Sequence, residues 1–290
     1  MSTERGFIVA IGGAEERSRH GAILRRFVRL CGGRRARLAI IPTASQLDAT
    51  GPDYEKVFCE IGAHSARSLP FDERADCERE DFLEILSEAD GVFITGGNQL
   101  RLSTILGGTR VADLLRRRNL EGMTVGGTSA GAAILSEHMI AYGEEGLQPR
   151  AGKATLSPGL GFVRWAIVDQ HFSQRNRLGR LLTALAYNPR LLGLGIDEDT
   201  AALIGPDDSV EVHGQGMVTV VDASQVEHSS IDEAAPGELV SLDNVRIHLL
   251  LDGACYLAES RRAHPQGHPE IGRRFEEITR RIGGRGPSRR

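Results

Sequence analysis

Residues 123–135 read MTVGGTSAGAAIL. The apolar start predicts a buried strand, the alanine-rich end predicts a helix, and the pattern G-x-S-x-G lies between them at residues 127–131. A serine on such a sharp strand–turn–helix is typical of a nucleophile, because the turn holds its hydroxyl clear of the sheet. We predict Ser129 as the candidate nucleophile and the backbone amide of Ala130 as an oxyanion donor. The pattern alone is weak, since glycine-rich turns also bind phosphate and many serines only cap helices.

The segments on either side of this turn alternate short apolar strands with amphipathic helices. Strands are predicted at residues 7–11, 38–41, 65–71, 91–95 and 123–126. Such alternation is typical of an α/β fold whose mostly parallel sheet has helices on both faces. Past residue 190, turn-rich links join short strand candidates, which predicts extra antiparallel strands at one end of the sheet. We expect a single α/β domain over residues 1–262 and a basic, flexible C-terminal tail over residues 263–290.

Composition narrows the function classes. The 35 basic and 39 acidic side chains give a net charge of −4, which indicates no general affinity for nucleic acid or membranes. No apolar run approaches the ~20 residues of a membrane helix, and no signal segment precedes the first strand. The four cysteines lie far apart without CxxC spacing, which favours reduced thiols: Cys31, Cys59, Cys77 and Cys255. We therefore expect a cytoplasmic protein.

A second glycine loop follows another predicted strand, where residues 93–99 read FITGGNQ. The carboxyl ends of parallel strands share one edge of a sheet, so this loop is expected beside Ser129. The amides of Gly97 and Asn98 are candidates for a second oxyanion donor, and Gln99 is a candidate substrate contact. Alternatively, Asn98 only caps the next helix. The Gly12-Gly13 pair lies at the same edge but lacks a GxGxxG pattern, so we interpret it as a turn.

A serine nucleophile needs a base and a group that orients the base. Of the nine histidines, His171 stands at the end of an apolar strand, at residues 165–168. A lone histidine there is more often structural, but a nearby nucleophile favours a base. Asp197, Glu198 and Asp199 follow a further strand, and one of them would orient the histidine. Spacing does not choose among them. The alternative is that the three acids are turn residues with some metal-binding capacity. No matching His or Cys set supports a metal site.

Together these segments resemble the cyanophycinase family of serine peptidases. The matching pieces are GGNQ at 96–99, GTSAGA at 127–132, DQHF at 169–172, RNRLGR at 175–180 and IDEDTA at 196–201. Their order and approximate spacing agree over roughly residues 5–260, which is far more specific than G-x-S-x-G alone. The basic C-terminal tail is not a feature that we associate with the family.

The resemblance implies a catalytic triad of Ser129, His171 and Glu198 on a fold like that of the class I glutamine amidotransferases. It implies exopeptidase action on cyanophycin, a poly-aspartate backbone with arginine on each β-carboxyl, and release of β-Asp-Arg dipeptides. It further implies a homodimer that uses no metal, and we expect no other cofactor. The balanced charge indicates neither nucleic acid nor membranes as partners. The implied oxyanion donors are the amides of Gly97 and Ala130.

The substrate pocket implied by the resemblance carries over to Gln99, Asp169, Gln170, Arg175, Arg177 and Arg180. Residues 178–185 place leucines on one side of a predicted helix, and Arg177 and Arg180, three apart, fall together on the other. Guanidinium groups bind carboxylates in a bidentate manner, so this pair is suited to the free α-carboxylate of a chain end. Asp169 is suited to the guanidinium of the substrate. The alternative is an ordinary solvated helix face.

Two other functions remain open from the sequence. One is a related serine peptidase that cleaves small aspartyl or isoaspartyl peptides. The other is a non-catalytic protein of the same fold that binds an acidic ligand. The sequence also leaves open whether the loop at residues 144–160 closes over the site, and whether the tail mediates association.

Overall fold

The computed structural model describes residues 4–266. The helices, in chain order, are α1 (Ala22–Leu30), α2 (Thr50–Ile61), α3 (Glu80–Glu88), α4 (Gln99–Leu106), α5 (Arg110–Leu120), α6 (Ala130–Ala133) and α7 (Leu178–Tyr187). The strands are β1 (Ile8–Ile11), β2 (Arg37–Ile41), β3 (Ser65–Ser68), β4 (Gly91–Ile94), β5 (Thr124–Thr128), β6 (His138–Gly143), β7 (Ala154–Pro158), β8 (Ala166–Gln170), β9 (Leu192–Ile196), β10 (Thr200–Ile204), β11 (Ser209–Gly214), β12 (Val218–Asp222), β13 (His228–Ser229), β14 (Leu242–Asp243), β15 (Arg246–Leu250), β16 (Cys255–Leu257) and β17 (Arg262–His264).

The central sheet has nine strands in the order β17-β16-β11-β10-β1-β5-β4-β2-β3. Five neighbouring strands are parallel: β1, β5, β4, β2 and β3. The sheet continues beyond β1 with the antiparallel strands β10, β11, β16 and β17. This is the α/β architecture that the alternating pattern predicts, with the later strands added to one end.

Helices cover both faces of this sheet because its strands alternate their side chains between two apolar cores. Ile8 and Ala10 face a core shared with α3, α4, α5 and α6. Phe7, Val9 and Ile11 face the other core, which contains the apolar sides of α1 and α2. The inner strands are therefore buried on both sides, as expected for a parallel sheet.

Four strands form a second sheet in the order β15-β12-β9-β8, with β8 and β9 parallel. We expected the strands after residue 190 to extend one sheet, and for β9, β12 and β15 this is wrong. In the second sheet, β9 and β12 are inner strands that are buried on both faces, because each face packs against a different core. Val220 faces the core shared with the central sheet, and Val221 faces a third core against α7.

Two sequence boundaries also differ from the structure. Residues 144–160 are not a plain loop, because β7 occupies part of them and pairs with β6 as a hairpin. The predicted start of the tail falls inside β17, so Ala263 and His264 belong to the sheet. From residue 267 onward the predicted tail lies outside the described residues. Between residues 4 and 266, no helix is long and apolar enough to span a membrane.

Candidate active site

The candidate residues meet where several strands end at one edge of the sheets. The turn after β1 connects them through backbone hydrogen bonds. The amide of Ser129 donates to the carbonyl of Ile11 at 3.0 Å, and the amide of His171 donates to the carbonyl of Gly12 at 2.9 Å. The amide of Asp199 donates to the carbonyl of Gly13 at 2.9 Å. One turn therefore aligns the loops that follow β5, β8 and β9.

Ser129 occupies a strained backbone conformation between β5 and α6, with φ 53° and ψ −115°. Such a conformation costs about 1–3 kcal/mol and persists only where the surroundings enforce it. The flanking glycines are required as predicted. A Cβ on Gly127 would lie 2.0 Å from the carbonyl oxygen of Gly131, and a Cβ on Gly131 would lie 2.1 Å from that of Ile94. Strand, turn and helix thus have the shape of a nucleophile elbow.

Three side chains form a hydrogen-bonded series at this elbow. The Oγ of Ser129 lies 2.9 Å from Nε2 of His171, and Nδ1 of His171 lies 2.5 Å from Oε1 of Glu198. A carboxylate only accepts hydrogen bonds, so Nδ1 donates to it and Nε2 presents its lone pair to the serine. His171 also has a positive φ of 46°, and its ring packs against Gly13, where a Cβ would lie 2.3 Å from Cε1.

The geometry separates the three acids that spacing leaves equivalent. Asp197 is buried and accepts the amides of Ser173 at 3.0 Å and Met217 at 3.3 Å, so it supports the loops. Asp199 accepts the amide of Glu16 at 3.3 Å. Of the three, Glu198 is the acid that reaches the imidazole.

Burial lowers the pKa of His171 below its ordinary value of 6.5, and the nearby Arg175 lowers it further. The hydrogen bond and the charge of Glu198 oppose this shift without cancelling it. His171 is therefore neutral at pH 7, which is the form that accepts a proton.

The glycine loop after β4 lies against the elbow, as predicted. A Cβ on Gly96 would lie 3.1 Å from the Cβ of Ser129 and 3.6 Å from its Oγ. The amide of Asn98 donates to the carbonyl of Ala44 at 2.9 Å, so Asn98 as an oxyanion donor is wrong. Its side chain caps α4 by accepting from the amide of Leu100 at 2.9 Å. Gly97 and Ala130 remain the candidate donors.

Asp169 lies at the end of β8 and is only 1% exposed. Arg180 forms a bidentate ion pair with it: Nε donates to Oδ2 at 2.7 Å and Nη2 donates to Oδ1. The amide of Gln170 also donates to Oδ1, at 2.9 Å. Asp169 therefore supports Arg180, and its contact with the guanidinium of the substrate stays a prediction.

Arg177 and Arg180 are 6% and 5% exposed, so the alternative of a solvated helix face is wrong. Arg177 donates from Nη1 to the carbonyl of Gln170 at 2.7 Å. Burial and the neighbouring charge of Arg180 lower the pKa of Arg177 to about 10, which leaves it charged at neutral pH. Within residues 4–266, the Nε of Arg177 and the Oε1 of Gln170 are buried without a hydrogen-bond partner.

The other two predicted pocket residues differ in surroundings. Gln99 donates from Nε2 to the carbonyls of Ile140 at 3.0 Å and Ala141 at 3.2 Å, which ties the start of α4 to β6. Arg175 is exposed on the turn that follows His171. Their contact with substrate stays a prediction.

The connection between β6 and β7 packs on the start of α7. The amide of Gly146 donates to the carbonyl of Asn176 at 2.7 Å, and the amide of Gly179 donates to the carbonyl of Gly146 at 2.9 Å. Arg150 is fixed similarly, since its amide donates to Oγ1 of Thr183 at 3.1 Å. This connection is thus attached to the segment that carries Arg177 and Arg180.

The role of the turn after β1 was not predicted from the sequence, where Gly12 and Gly13 indicated only a turn. Its Glu15 is buried and hydrogen-bonded to Thr128, the residue before Ser129. The available indication was position, because the turn lies at the same sheet edge as the elbow.

Among residues 4–266, no group of three or more His, Cys, Asp or Glu side chains is arranged to hold a metal ion.

The fold and the site together indicate the class of enzyme. An α/β sheet that presents a strained serine, a neutral histidine and a carboxylate in series has the arrangement of a hydrolase.

Comparison with known proteins defines the family. The sequence profile of Peptidase family S51 matches residues 7–212. A cyanophycinase of Synechococcus elongatus is 43% identical over 257 residues, covering 88% of this chain and 80% of the relative. A cyanophycinase of Geminocystis herdmanii is 41% identical over 254 residues, covering 87% and 93%. The chain therefore belongs to Peptidase family S51 and is a peptidase, and the predicted membership of the cyanophycinase family is confirmed.

A solved structure agrees on the fold. The crystal structure of a peptidase from an acI-B1 Actinobacterium matches with a TM-score of 0.59, covering 86% of this chain and 99% of that one. The two sequences are 20% identical, so this likeness supports the architecture alone.

Proposed function

We propose that this peptidase is a serine exopeptidase that hydrolyses cyanophycin and releases β-Asp-Arg dipeptides. The observation that carries the proposal is the series Glu198–His171–Ser129, joined at 2.5 and 2.9 Å. Support for the substrate comes from the relatives, which are named cyanophycinases and cover most of the chain.

In the first half of the proposed reaction, His171 Nε2 takes the proton of Ser129 Oγ. The oxygen then attacks the carbonyl carbon of the amide that joins two backbone aspartates. The amides of Gly97 and Ala130 stabilise the negative charge on the carbonyl oxygen. Glu198 stabilises the imidazolium, and its position fixes the proton on Nδ1.

Collapse of the tetrahedral intermediate breaks the C–N bond. The proton on Nε2 passes to the leaving amine, and an acyl-enzyme remains on Ser129. Water then gives a proton to Nε2, and its oxygen attacks the acyl carbon. The bond between the acyl carbon and Oγ breaks, and the proton on Nε2 returns to Oγ. The shortened polymer then leaves with a new carboxylate.

The buried arginines support the recognition of a chain end. Arg177 has a nitrogen without a protein partner, lies beside Gln170 and carries a positive charge. A substrate α-carboxylate can accept a hydrogen bond from that nitrogen, and its negative charge compensates the guanidinium. We assign Arg180 to the same surface, held in place by Asp169, and Arg175 to its exposed rim. Gln99 completes the pocket on the side of α4.

The proposal includes a cytoplasmic homodimer. Size-exclusion chromatography with light scattering measures the assembly directly. A monomer at micromolar concentration contradicts this part without affecting the chemistry.

Incubation of the purified protein with insoluble cyanophycin, followed by mass spectrometry of the soluble fraction, tests the reaction. We expect β-Asp-Arg from the wild type and none from Ser129→Ala. Release by both proteins contradicts the assignment of Ser129.

No release from a folded protein rejects cyanophycin as substrate. Small aspartyl and isoaspartyl dipeptides, assayed alongside, then identify a related peptidase if they are cleaved. If nothing is cleaved and a fluorophosphonate probe does not label the protein, a ligand-binding role replaces catalysis.

A further inference from the structure

A buried carboxylate lies directly behind the nucleophile elbow. Gly13 and Ala14 have φ values of 102° and 51°, and this left-handed turn directs Glu15 inward, where it is 5% exposed. Its Oε2 accepts the hydroxyl of Thr128 at 2.5 Å, and its Oε1 accepts the hydroxyl of Tyr54. Hydrogen bonds to a carboxylate are stronger than those between neutral groups, so two elements are held firmly to one side chain.

The bond to Thr128 acts at the residue before the strained serine. Ser129 holds φ 53° and ψ −115° only because its neighbours enforce that conformation. On the main chain, its amide is held by the carbonyl of Ile11. On the side-chain face, the bond from Thr128 to Glu15 fixes the end of β5. We expect loss of that bond to let the strand end relax and to move Oγ relative to the imidazole.

The other partner of Glu15 is anchored in an aromatic cluster. The ring of Tyr54 lies 5.0 Å from that of Phe93 and 5.9 Å from that of Phe58, between centroids. Burial and the adjacent carboxylate raise the pKa of Tyr54, so its hydroxyl keeps the proton that it donates. The rigid core is thus connected through Glu15 to the elbow.

The same turn also touches the base. Gly13 packs against the ring of His171, whose amide donates to the carbonyl of Gly12. The turn is therefore in contact with both loops, the one that carries Ser129 and the one that carries His171.

We propose that Glu15 is a positioning residue, which holds Thr128 and thereby keeps Ser129 Oγ within hydrogen-bond reach of His171 Nε2. This inference rests on the proposed function, specifically on Ser129 as the nucleophile. Glu15 itself contacts neither the serine hydroxyl nor the imidazole in this network.

Thr128→Val tests the proposal, because valine keeps the shape of threonine and removes the hydroxyl. The readouts are kcat, KM, thermal stability and the rate at which a fluorophosphonate acylates Ser129. A displacement of about 1 Å at a reacting atom can cost about 100-fold in rate. We expect kcat and the acylation rate to fall together by about 10-fold or more, with KM within about twofold. Thr128→Ser, which restores the hydroxyl, is expected to recover most of the loss.

Thr124→Val is the matched control. Thr124 starts the same strand, is fully buried, and donates its hydroxyl to the carbonyl of Leu30 at 3.3 Å. It lies about 13 Å along β5 from Thr128. It is expected to lose stability while its acylation rate stays within about twofold of the wild type.

Several outcomes overturn the proposal: a folded Thr128→Val that acylates like the wild type, equal slowing in Thr124→Val, or no rescue by Thr128→Ser. If Thr128→Val does not fold, Tyr54→Phe removes the second anchor of Glu15, and an unchanged acylation rate there rejects the idea. If the wild type itself is not labelled at Ser129, the proposed function fails first. Labelling of the wild type with normal rates in the variants rejects only the role of Glu15.

Discussion

Replacement of Glu198 by glutamine tests how the structure orients the base. In the wild type, Glu198 Oε1 accepts from His171 Nδ1 at 2.5 Å, which leaves Nε2 free to take the proton of Ser129. A carboxamide removes the negative charge and can also donate to Nδ1. In that case the ring proton moves to Nε2, where it blocks general-base catalysis.

The magnitude follows from these two effects. A hydrogen bond to a charged group contributes about 1.5–3 kcal/mol, which corresponds to roughly 10-fold to 100-fold in rate. The side chain of Glu198 is 36% exposed, so solvent screens part of this contribution. The wrong tautomer adds to the loss, and the same kind of change lowers kcat by about 10⁴ in another triad. We expect kcat to fall by about 10²–10⁴, with KM changed by less than about fivefold.

The pH profile gives an independent readout. A base works while unprotonated, so kcat/KM falls as the pH drops through the pKa of His171. That pKa is already lowered by burial, so the wild type should lose activity with a midpoint below 6.5. Glu198 raises the pKa of His171, so its replacement should move the midpoint to still lower pH.

The assay is steady-state kinetics between pH 4.5 and 8, with Asp199→Asn as the control. Asp199 accepts the amide of Glu16 and does not contact the ring, so its variant should stay within about threefold of the wild type. If Glu198→Gln keeps kcat within about fivefold, or moves the acid midpoint upward, the role assigned to Glu198 is wrong.

Two further substitutions test the supports of the site. Asp169→Asn leaves the guanidinium of Arg180 buried without its counter-charge. We expect the free energy of unfolding to fall by about 3–5 kcal/mol and the Tm, measured by calorimetry, to fall by roughly 6–10 °C. A change in Tm under about 2 °C contradicts this. Gly13→Ala places a Cβ 2.3 Å from Cε1 of His171, so kcat should fall by about 100-fold; Gly62→Ala, whose φ of 108° is similar but whose Cβ meets nothing within 4 Å, should keep normal kcat.

The sequence is most informative where function depends on local geometry. The elbow was predictable because Gly127 and Gly131 must lack a Cβ within one short segment. His171 was a candidate because it ends a strand, and strands of one α/β fold end at a common edge. Helices on both faces followed from the two-sided burial that parallel strands require.

Features that depend on distant pairing were not predictable in the same way. The loop after β9 is held by distant partners: Asp197 accepts the amide of Met217, which directly precedes β12, and the amide of Asp199 donates to the carbonyl of Gly13. The ion pair of Asp169 and Arg180 joins a strand end to a helix, and the sequence analysis had assigned both side chains to substrate instead of to each other. Glu15 meets partners 39 and 113 positions away, so no spacing pattern indicates its role.

We propose above that Ser129 is a nucleophile activated by His171. Labelling of the folded protein with a fluorophosphonate, followed by peptide mapping, tests it most directly. We expect one adduct on Ser129 in the wild type, none in Ser129→Ala, and strongly slowed labelling in His171→Ala. An adduct on another residue, or no adduct from a folded wild-type protein, would contradict it.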